Sequence, residues 1–139
     1  MTWTAAVAPA SGAGEPSASS ALAREACREG RRLWLRRTAA NLERALERFR
    51  SALRYDPQSA AAYAGLADVF ALTYDYPRAR EAVRKALELD PLLAEAHASS
   101  GFLALHADWD WEGSEAALRR ALELDPQLPQ AHAWHGLAL

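Results

Sequence analysis

Three near-copies of one segment constrain this chain more than any other feature of its sequence. The copies are RSALRYDPQSAAAY at 50–63, RKALELDPLLAEAH at 84–97 and RRALELDPQLPQAH at 119–132. Their Asp-Pro steps place prolines at 57, 91 and 126, so the spacings are 34 and 35 residues. A regular spacing of this length predicts stacked copies of one small unit, each of which buries its apolar face against its neighbours.

Each copy carries the pattern of an α-helix that ends at its Asp-Pro step. Ala79, Val83 and Ala86 precede Pro91 at steps of four and three residues, which places them on one helix face. The residue before a proline is pushed out of the helical region, so the helix ends there. Together with Asp75 as a start signal, the pattern predicts seven helices, over 21–37, 40–54, 59–73, 77–89, 93–106, 111–124 and 128–139.

The second copy and the residues before it resemble the tetratricopeptide repeat family. YAGLADVF, followed by PRAREAVRKALELDP, has that family's order of aromatic, leucine, small and aromatic residues, then alanine, alanine and proline. The resemblance covers about residues 21–139. It implies an all-α fold, a right-handed α-solenoid of antiparallel helix hairpins with about three repeats plus a half repeat. We expect repeats at about 21–57, 58–91 and 92–126, a partial repeat at 127–139, and a disordered Ala-, Ser-, Gly- and Pro-rich tail at 1–20.

The resemblance also implies a binding groove. In this family the first helix of each hairpin lines a concave face, where an extended peptide or a helix docks. Some members hold the C-terminal carboxylates of a chaperone there with a clamp of Lys, Asn and Arg, which is missing from the matching positions of this chain. We therefore expect an amphipathic helix or a hydrophobic segment as the ligand. Carried onto this sequence, the groove contains Ala61, Ala64, Asp68, Ala71, Glu95, Ala98, Phe102, Leu105 and His106.

Composition and charge narrow the choice of partner and compartment. Cys27 is the only cysteine, which excludes an internal disulfide and is typical of a reducing, cytoplasmic location. No apolar stretch reaches the length of a membrane span, so we expect no membrane partner. The ten arginines of 21–57, set against five acidic residues, give that half a charge of +5. Glutamates are interleaved with them at helical spacing, which indicates a solvated face and not a nucleic-acid surface.

Two short stretches allow a functional and a structural interpretation. In DWDWEGSE (108–115), two indoles flanked by carboxylates could grip a cation or a peptide. Alternatively an aspartate caps the next helix and the tryptophans fill the gap left by a longer turn, which we favour. Cys27 lies between arginines that could activate its thiol, but we favour an inert helical cysteine.

Histidine and serine patterns give weak signals for a metal or a catalytic site. His132 and His135 lie three residues apart, as metal ligands sometimes do. His97 and His132, however, occupy a position where the first copy has tyrosine, so packing explains them. Ser99 or Ser100 with His97 is the one candidate catalytic pair, in a helix that the repeat pattern already explains. We expect no enzymatic activity, no metal and no cofactor.

These observations favour a protein–protein interaction module that binds a peptide or helix in its concave groove. A second hypothesis comes from GRRLWLRRT (30–38), YDPQSAAAYAGLADVF (55–70) and HADWDW (106–111), which resemble repeats appended to bacterial signalling proteins. It implies a sensing or docking region of a transcriptional or signalling regulator whose effector domain is absent here. A third is self-association through the uncapped C-terminal helix, in which Trp134, Leu137 and Leu139 lack a second helix to pack against.

Overall fold

The computed structural model describes residues 17–138, apart from the side chains of Ala133 and of residues 135–138. The described chain forms seven α-helices and no strand: α1 (Ala18–Arg36), α2 (Ala39–Tyr55), α3 (Ala60–Leu72), α4 (Tyr76–Leu89), α5 (Ala94–His106), α6 (Trp111–Leu124) and α7 (Pro129–Ala138). All seven predicted helices are present. Because α1 begins at Ala18, the last three residues of the tail expected at 1–20 belong to a helix, and residues 1–16 lie outside the described residues.

Each Asp-Pro step ends the second helix of a hairpin in the same way. The Asp56 N–H donates to the Ala52 carbonyl at 2.8 Å, and the Asp56 carboxylate accepts from the Gln58 N–H at 3.0 Å. Asp90 and Asp125 make the equivalent pairs of bonds. The aspartate therefore satisfies backbone groups on both sides of the proline, and the predicted helix ends are confirmed.

Side-chain caps fix most of the helix starts. The cap is an oxygen that accepts from the backbone N–H three residues further on, which satisfies a donor that the helix itself leaves open. It is supplied at the starts of α1, α2, α3, α4 and α6 by Ser17, Thr38, Ser59, Asp75 and Asp110. The predicted start signal at Asp75 is confirmed.

The turn inside each hairpin uses a left-handed residue. Arg37, Tyr74 and Trp109 have φ angles of 58°, 63° and 56°, a conformation that costs a residue with a side chain about 1–2 kcal/mol. The conformation lets the next residue bond back to the preceding helix. The Asp75 N–H reaches the Phe70 carbonyl at 2.9 Å. The Asp110 N–H likewise reaches the Ala104 carbonyl at 2.8 Å. Three hairpins with different turn sequences thus share a left-handed residue, and two of them share this bond.

The hairpins stack so that α1, α3, α5 and α7 form one layer and α2, α4 and α6 lie outside it. Phe49 of α2 is buried and its ring lies between α1 and α3. A Cβ added at Gly30 would lie 2.9 Å from that ring, and one added at Gly65 would lie closer still. The two glycines therefore leave the space that Phe49 fills.

We predict that Gly65→Ala lowers the free energy of unfolding by about 1–3 kcal/mol, the usual cost of overpacking a close contact. Urea denaturation followed by circular dichroism measures this. Combined with Phe49→Leu, the same substitution should cost less, because the smaller side chain frees the space. A stabilised Gly65→Ala variant would contradict this packing.

Candidate functional site on the concave face

One side chain of α1 contacts each of the other three helices of the inner layer. Arg31 Nη1 donates to Asp68 Oδ2 of α3 at 2.5 Å, and its Nη2 donates to Glu95 Oε2 of α5 at 3.1 Å. With the amide of Gln130 turned so that its oxygen faces Arg31, that oxygen accepts from Nε at 2.8 Å. Since α1 thereby reaches α7, the inner layer curves around Arg31 and forms the concave face.

In this Arg31 network (Arg31, Asp68, Glu95, Ser99 and Gln130), one cation is set between two carboxylates. Asp68 is fully buried, and its second oxygen accepts from Ser99 Oγ. Burial raises the pKa of Asp68, and the attraction of Arg31 opposes that rise. Burial alone would lower the pKa of Arg31, but Asp68 and Glu95 outweigh it and raise the pKa, so the guanidinium stays charged.

An aromatic cluster (Trp34, Phe102, His106 and Trp134) fills the concave face beside the network. The rings of Trp34 and Trp134 meet edge to face with centroids 4.9 Å apart. The ring centroids of Phe102 and Trp134 are 3.9 Å apart. The Arg37 guanidinium lies over both indoles, 4.7 and 5.0 Å from their centroids. Both indoles are buried, so α7 is held against α1 and α5 by aromatic packing.

The cluster carries polar atoms that the described chain does not satisfy. Trp34 Nε1, His106 Nε2 and Trp134 Nε1 are buried and have no hydrogen-bond partner among the residues described. An unpaired buried donor costs about 1–3 kcal/mol. Ring packing, and not hydrogen bonding, therefore stabilises this closure of the concave face.

The residues predicted to line an open groove are mostly covered by the chain itself. Asp68 and Glu95 belong to the Arg31 network, and Phe102 and His106 to the aromatic cluster. Leu105, Ala64, Ala71 and Ala98 are buried between helices. The chain therefore does not form an open groove at these positions, because side chains of α1 and α7 occupy its centre. That the predicted groove residues bind a ligand stays a prediction.

The prediction that Trp134 faces a missing second helix is wrong. Trp134 turns inward and is buried in the aromatic cluster, so it offers no free surface for self-association. The side chains of Leu137 and Leu139, which shared that prediction, lie outside the described residues.

Sequence reasoning missed Arg31, Trp34 and Gln130. The interleaved glutamates predict a solvated face for the arginines of α1, whereas Arg31 is enclosed by the inner layer. Two signals could have found these residues. Arg31 and Trp34 lie three residues apart on one face of α1, and Gln130 lies 35 residues after Glu95, at the same repeat position.

A pocket of about 270 Å³ remains open at the N-terminal end of the concave face. We call it the concave pocket; its lining comes from four helices and one capping residue: Arg24, Cys27, Arg28, Arg31, Phe49, Ser59, Ala61 and Glu95. Cys27 Sγ lies 3.9 Å from Ser59 Oγ. Burial raises the pKa of the Cys27 thiol, so the alternative of an arginine-activated thiol is wrong.

The outer layer has a groove of its own. A cavity of about 480 Å³ lies between α2, α3 and the start of α4, and a second of about 380 Å³ lies between α3 and α4. Both are lined by Phe70 and Arg78. We call them together the convex groove. It is larger than the concave pocket, and any binding experiment must distinguish the two.

The other candidate residues have ordinary structural partners. His97 Nε2 lies 2.8 Å from the Pro91 carbonyl, and His132 Nε2 lies 3.2 Å from the Pro126 carbonyl. Ser99 contacts Asp68 instead of His97. Between residues 17 and 138, no three potential metal ligands gather in one place, and none of the helices there is long and apolar enough to span a bilayer.

The structure corrects our preferred interpretation of DWDWEGSE. Asp110 does cap α6, accepting from the Gly113 N–H at 2.9 Å. The tryptophans do not fill a gap, however, because Trp109 is 76% and Trp111 61% exposed. The turn is held from the side, where Arg80 of α4 donates two hydrogen bonds to Asp108.

Comparisons with known proteins agree with this architecture. A family model described as tetratricopeptide repeat matches residues 37–101. Among the solved structures, the tetratricopeptide repeat domain of Arabidopsis OM64 matches with a TM-score of 0.61 and 18% sequence identity, over 86% of this chain and 95% of that domain. No curated protein sequence matches the chain. The fold is therefore an all-α solenoid of helix hairpins, of the tetratricopeptide type.

We predict that Arg31→Met lowers the free energy of unfolding by about 3–5 kcal/mol, because it leaves the Asp68 carboxylate buried without its cation. Chemical denaturation gives the value. Adding Asp68→Asn should recover part of the loss, since the amide carries no charge.

Arg28→Met is the matched control for this prediction. It removes an arginine from the same helix whose partner, Glu25, is exposed, and exposed pairs contribute little. Equal losses for Arg28→Met and Arg31→Met would show that the buried network does not set stability.

Proposed function

We propose that this chain is a protein-interaction module that holds a segment of a partner protein on its concave face. The fold supports this because stacked hairpins present a long curved surface in place of a deep active-site cavity. The observation that carries the proposal is the concave pocket, where side chains of α1, α2, α3 and α5 meet around an open space.

The size of the concave pocket favours a side chain of a partner over a free small molecule or cofactor. About 270 Å³ lies just below the range of small-molecule sites, and suits one large side chain of a peptide. Phe49, Ala61 and Cys27 give it an apolar floor, while Arg24, Arg28 and Glu95 supply charges at the rim. An apolar anchor with polar neighbours matches this arrangement, as in a peptide laid across a groove.

The rest of the bound segment would follow the edge of the concave face. The centre is occupied by the Arg31 network and the aromatic cluster, so a ligand must either end there or displace α7. A short extended segment needs no displacement. We therefore propose a short peptide motif, and not a long helix, as the ligand of this conformation.

Peptides selected from a random display library on the wild-type protein provide a probe. We predict that Ala61→Trp weakens their binding at least about tenfold, because the indole fills the concave pocket. Isothermal titration calorimetry measures the affinity. Arg78→Glu, which changes the convex groove, is the matched control and should leave the affinity unchanged.

A second measurement follows Cys27 directly. A peptide seated in the concave pocket should slow alkylation of this thiol by iodoacetamide, because Cys27 forms part of the lining. If Arg78→Glu weakens peptide binding and Ala61→Trp does not, the ligand binds in the convex groove and not in the concave pocket. If the library yields no peptide that binds, the proposal that this chain is a protein-interaction module is contradicted.

The alternative, a sensing or docking region of a signalling regulator, rests on the resemblance of 30–38, 55–70 and 106–111. We propose it as a second hypothesis because it makes a distinct prediction. The native gene product should be larger than the 15.2 kDa of this chain, and an immunoblot of source cells measures its size. A native product of 15 kDa would exclude this hypothesis.

A further inference from the structure

The hairpin turns of the second and third repeats form an exposed aromatic edge that neither the fold nor the concave pocket uses. We define the turn edge as residues 73–76 and 107–112. Tyr74 is 79% exposed, Trp109 is exposed almost as far, and more than half of Trp111 is exposed. Large apolar side chains exposed to this degree, and clustered, mark interaction surfaces more often than isolated ones do.

Both turns lie on the same side of the molecule. Arg80, near the start of α4, donates to both oxygens of Asp108 in the following turn. The turn at 107–110 therefore lies beside the start of α4 and the turn at 73–75 that precedes it. Tyr74 also meets Tyr76 edge to face, with centroids 6.3 Å apart.

The turn edge is held in a fixed shape. Tyr74 and Trp109 take the left-handed conformation, and the Asp110 N–H bonds to the Ala104 carbonyl at 2.8 Å. With Asp108 clamped by Arg80, the backbone that carries Trp109 is restrained on both sides. Trp109 is thus presented to solvent by an ordered turn, which lowers the entropy cost of binding.

The charge around the two indoles is negative. Between 107 and 118 the chain has four acidic side chains and no basic one. Asp108 is paired with Arg80. Asp110 and Glu112, which flank Trp111, form no ion pair in the part of the chain that the structure describes. Asp110 accepts the capping hydrogen bond of α6, but neither carboxylate has a cationic partner in that part of the chain. Two exposed indoles beside two such carboxylates favour a cation, above all a guanidinium, whose flat face stacks on an indole while its N–H groups reach a carboxylate.

We propose that the turn edge binds an arginine-bearing segment of a partner protein. Its guanidinium groups stack on Trp109 and Trp111 and pair with Asp110 and Glu112. This surface is separate from the concave pocket and does not depend on the function proposed for it. A single chain can then hold two segments, one on its concave face and one on its turn edge.

A short peptide in which arginine alternates with glycine is the probe, and the same peptide with citrulline in place of arginine is its neutral, isosteric control. Calorimetry should show that the arginine peptide binds, at least about tenfold more tightly than the citrulline peptide, and more weakly as ionic strength rises. Equal binding of both peptides, or no binding of the arginine peptide, would overturn the proposal.

The double variant Trp109→Ala with Trp111→Ala separates this site from general attraction to an acidic surface. It should lose about tenfold in affinity for the arginine peptide, whereas Leu92→Ala, which removes an exposed apolar side chain from another turn, should lose none. Circular dichroism should be unchanged, because the removed side chains are exposed. Wild-type affinity in the double variant would overturn the site.

Sedimentation of the protein alone tests a competing occupant, the arginine-rich helices of a second copy. Concentration-dependent association that the tryptophan substitutions abolish would overturn the assignment to a partner protein. A protein that stays monomeric while it binds the arginine peptide supports the assignment. Glu112→Gln should weaken peptide binding as well, since it removes one of the two proposed counter-charges.

Discussion

One largely buried cation joins the four helices of the curved inner layer. In a stacked repeat fold each unit normally contacts only its neighbours, so stability is close to a sum of local terms. Arg31 departs from that rule because its guanidinium contacts Asp68, Glu95 and Gln130, which lie on three successive helices of the inner layer. A guanidinium so enclosed needs acceptors, and only a tightly curved inner layer brings all of them within reach. The charge therefore couples the ends of the array, and we expect the chain to unfold more cooperatively than an open solenoid of the same length.

That coupling also decides how much of the concave face a partner can use. The side chains that would line an open groove satisfy one another instead, and Trp134 of α7 completes the closure against Trp34 and Phe102. Space remains at the N-terminal end of the face, because the lining of the concave pocket includes small residues such as Ala61 and Ser59. The ion pairs of the chain, as well as the shape of the fold, therefore limit the part of the concave face that is open to a partner.

The helices and their ends could be predicted from the sequence because local chemistry determines them. Apolar spacing marks the helix faces, Asp-Pro steps end the helices, and short polar side chains such as Asp75 start them. The Arg31 network is harder to predict, because its one local signal, the spacing of three residues between Arg31 and Trp34, does not identify the acceptors. The burial of Arg31 depends on side chains at 68, 95 and 130. The exposure of Trp109 also escaped prediction, since it depends on the left-handed conformation of the turn.

Arg37, Tyr74 and Trp109 occupy the same left-handed position in three hairpins, yet their side chains go to different places. The guanidinium of Arg37 turns onto Trp34 and Trp134, so packing repays the strain of its backbone. Tyr74 and Trp109 are exposed. Their aromatic rings therefore do not gain the free energy that burial away from water would give. The turn hydrogen bonds explain the left-handed backbone of Tyr74 and Trp109, but they do not explain why both side chains are exposed. This exposure singles out the turn edge from the rest of the surface.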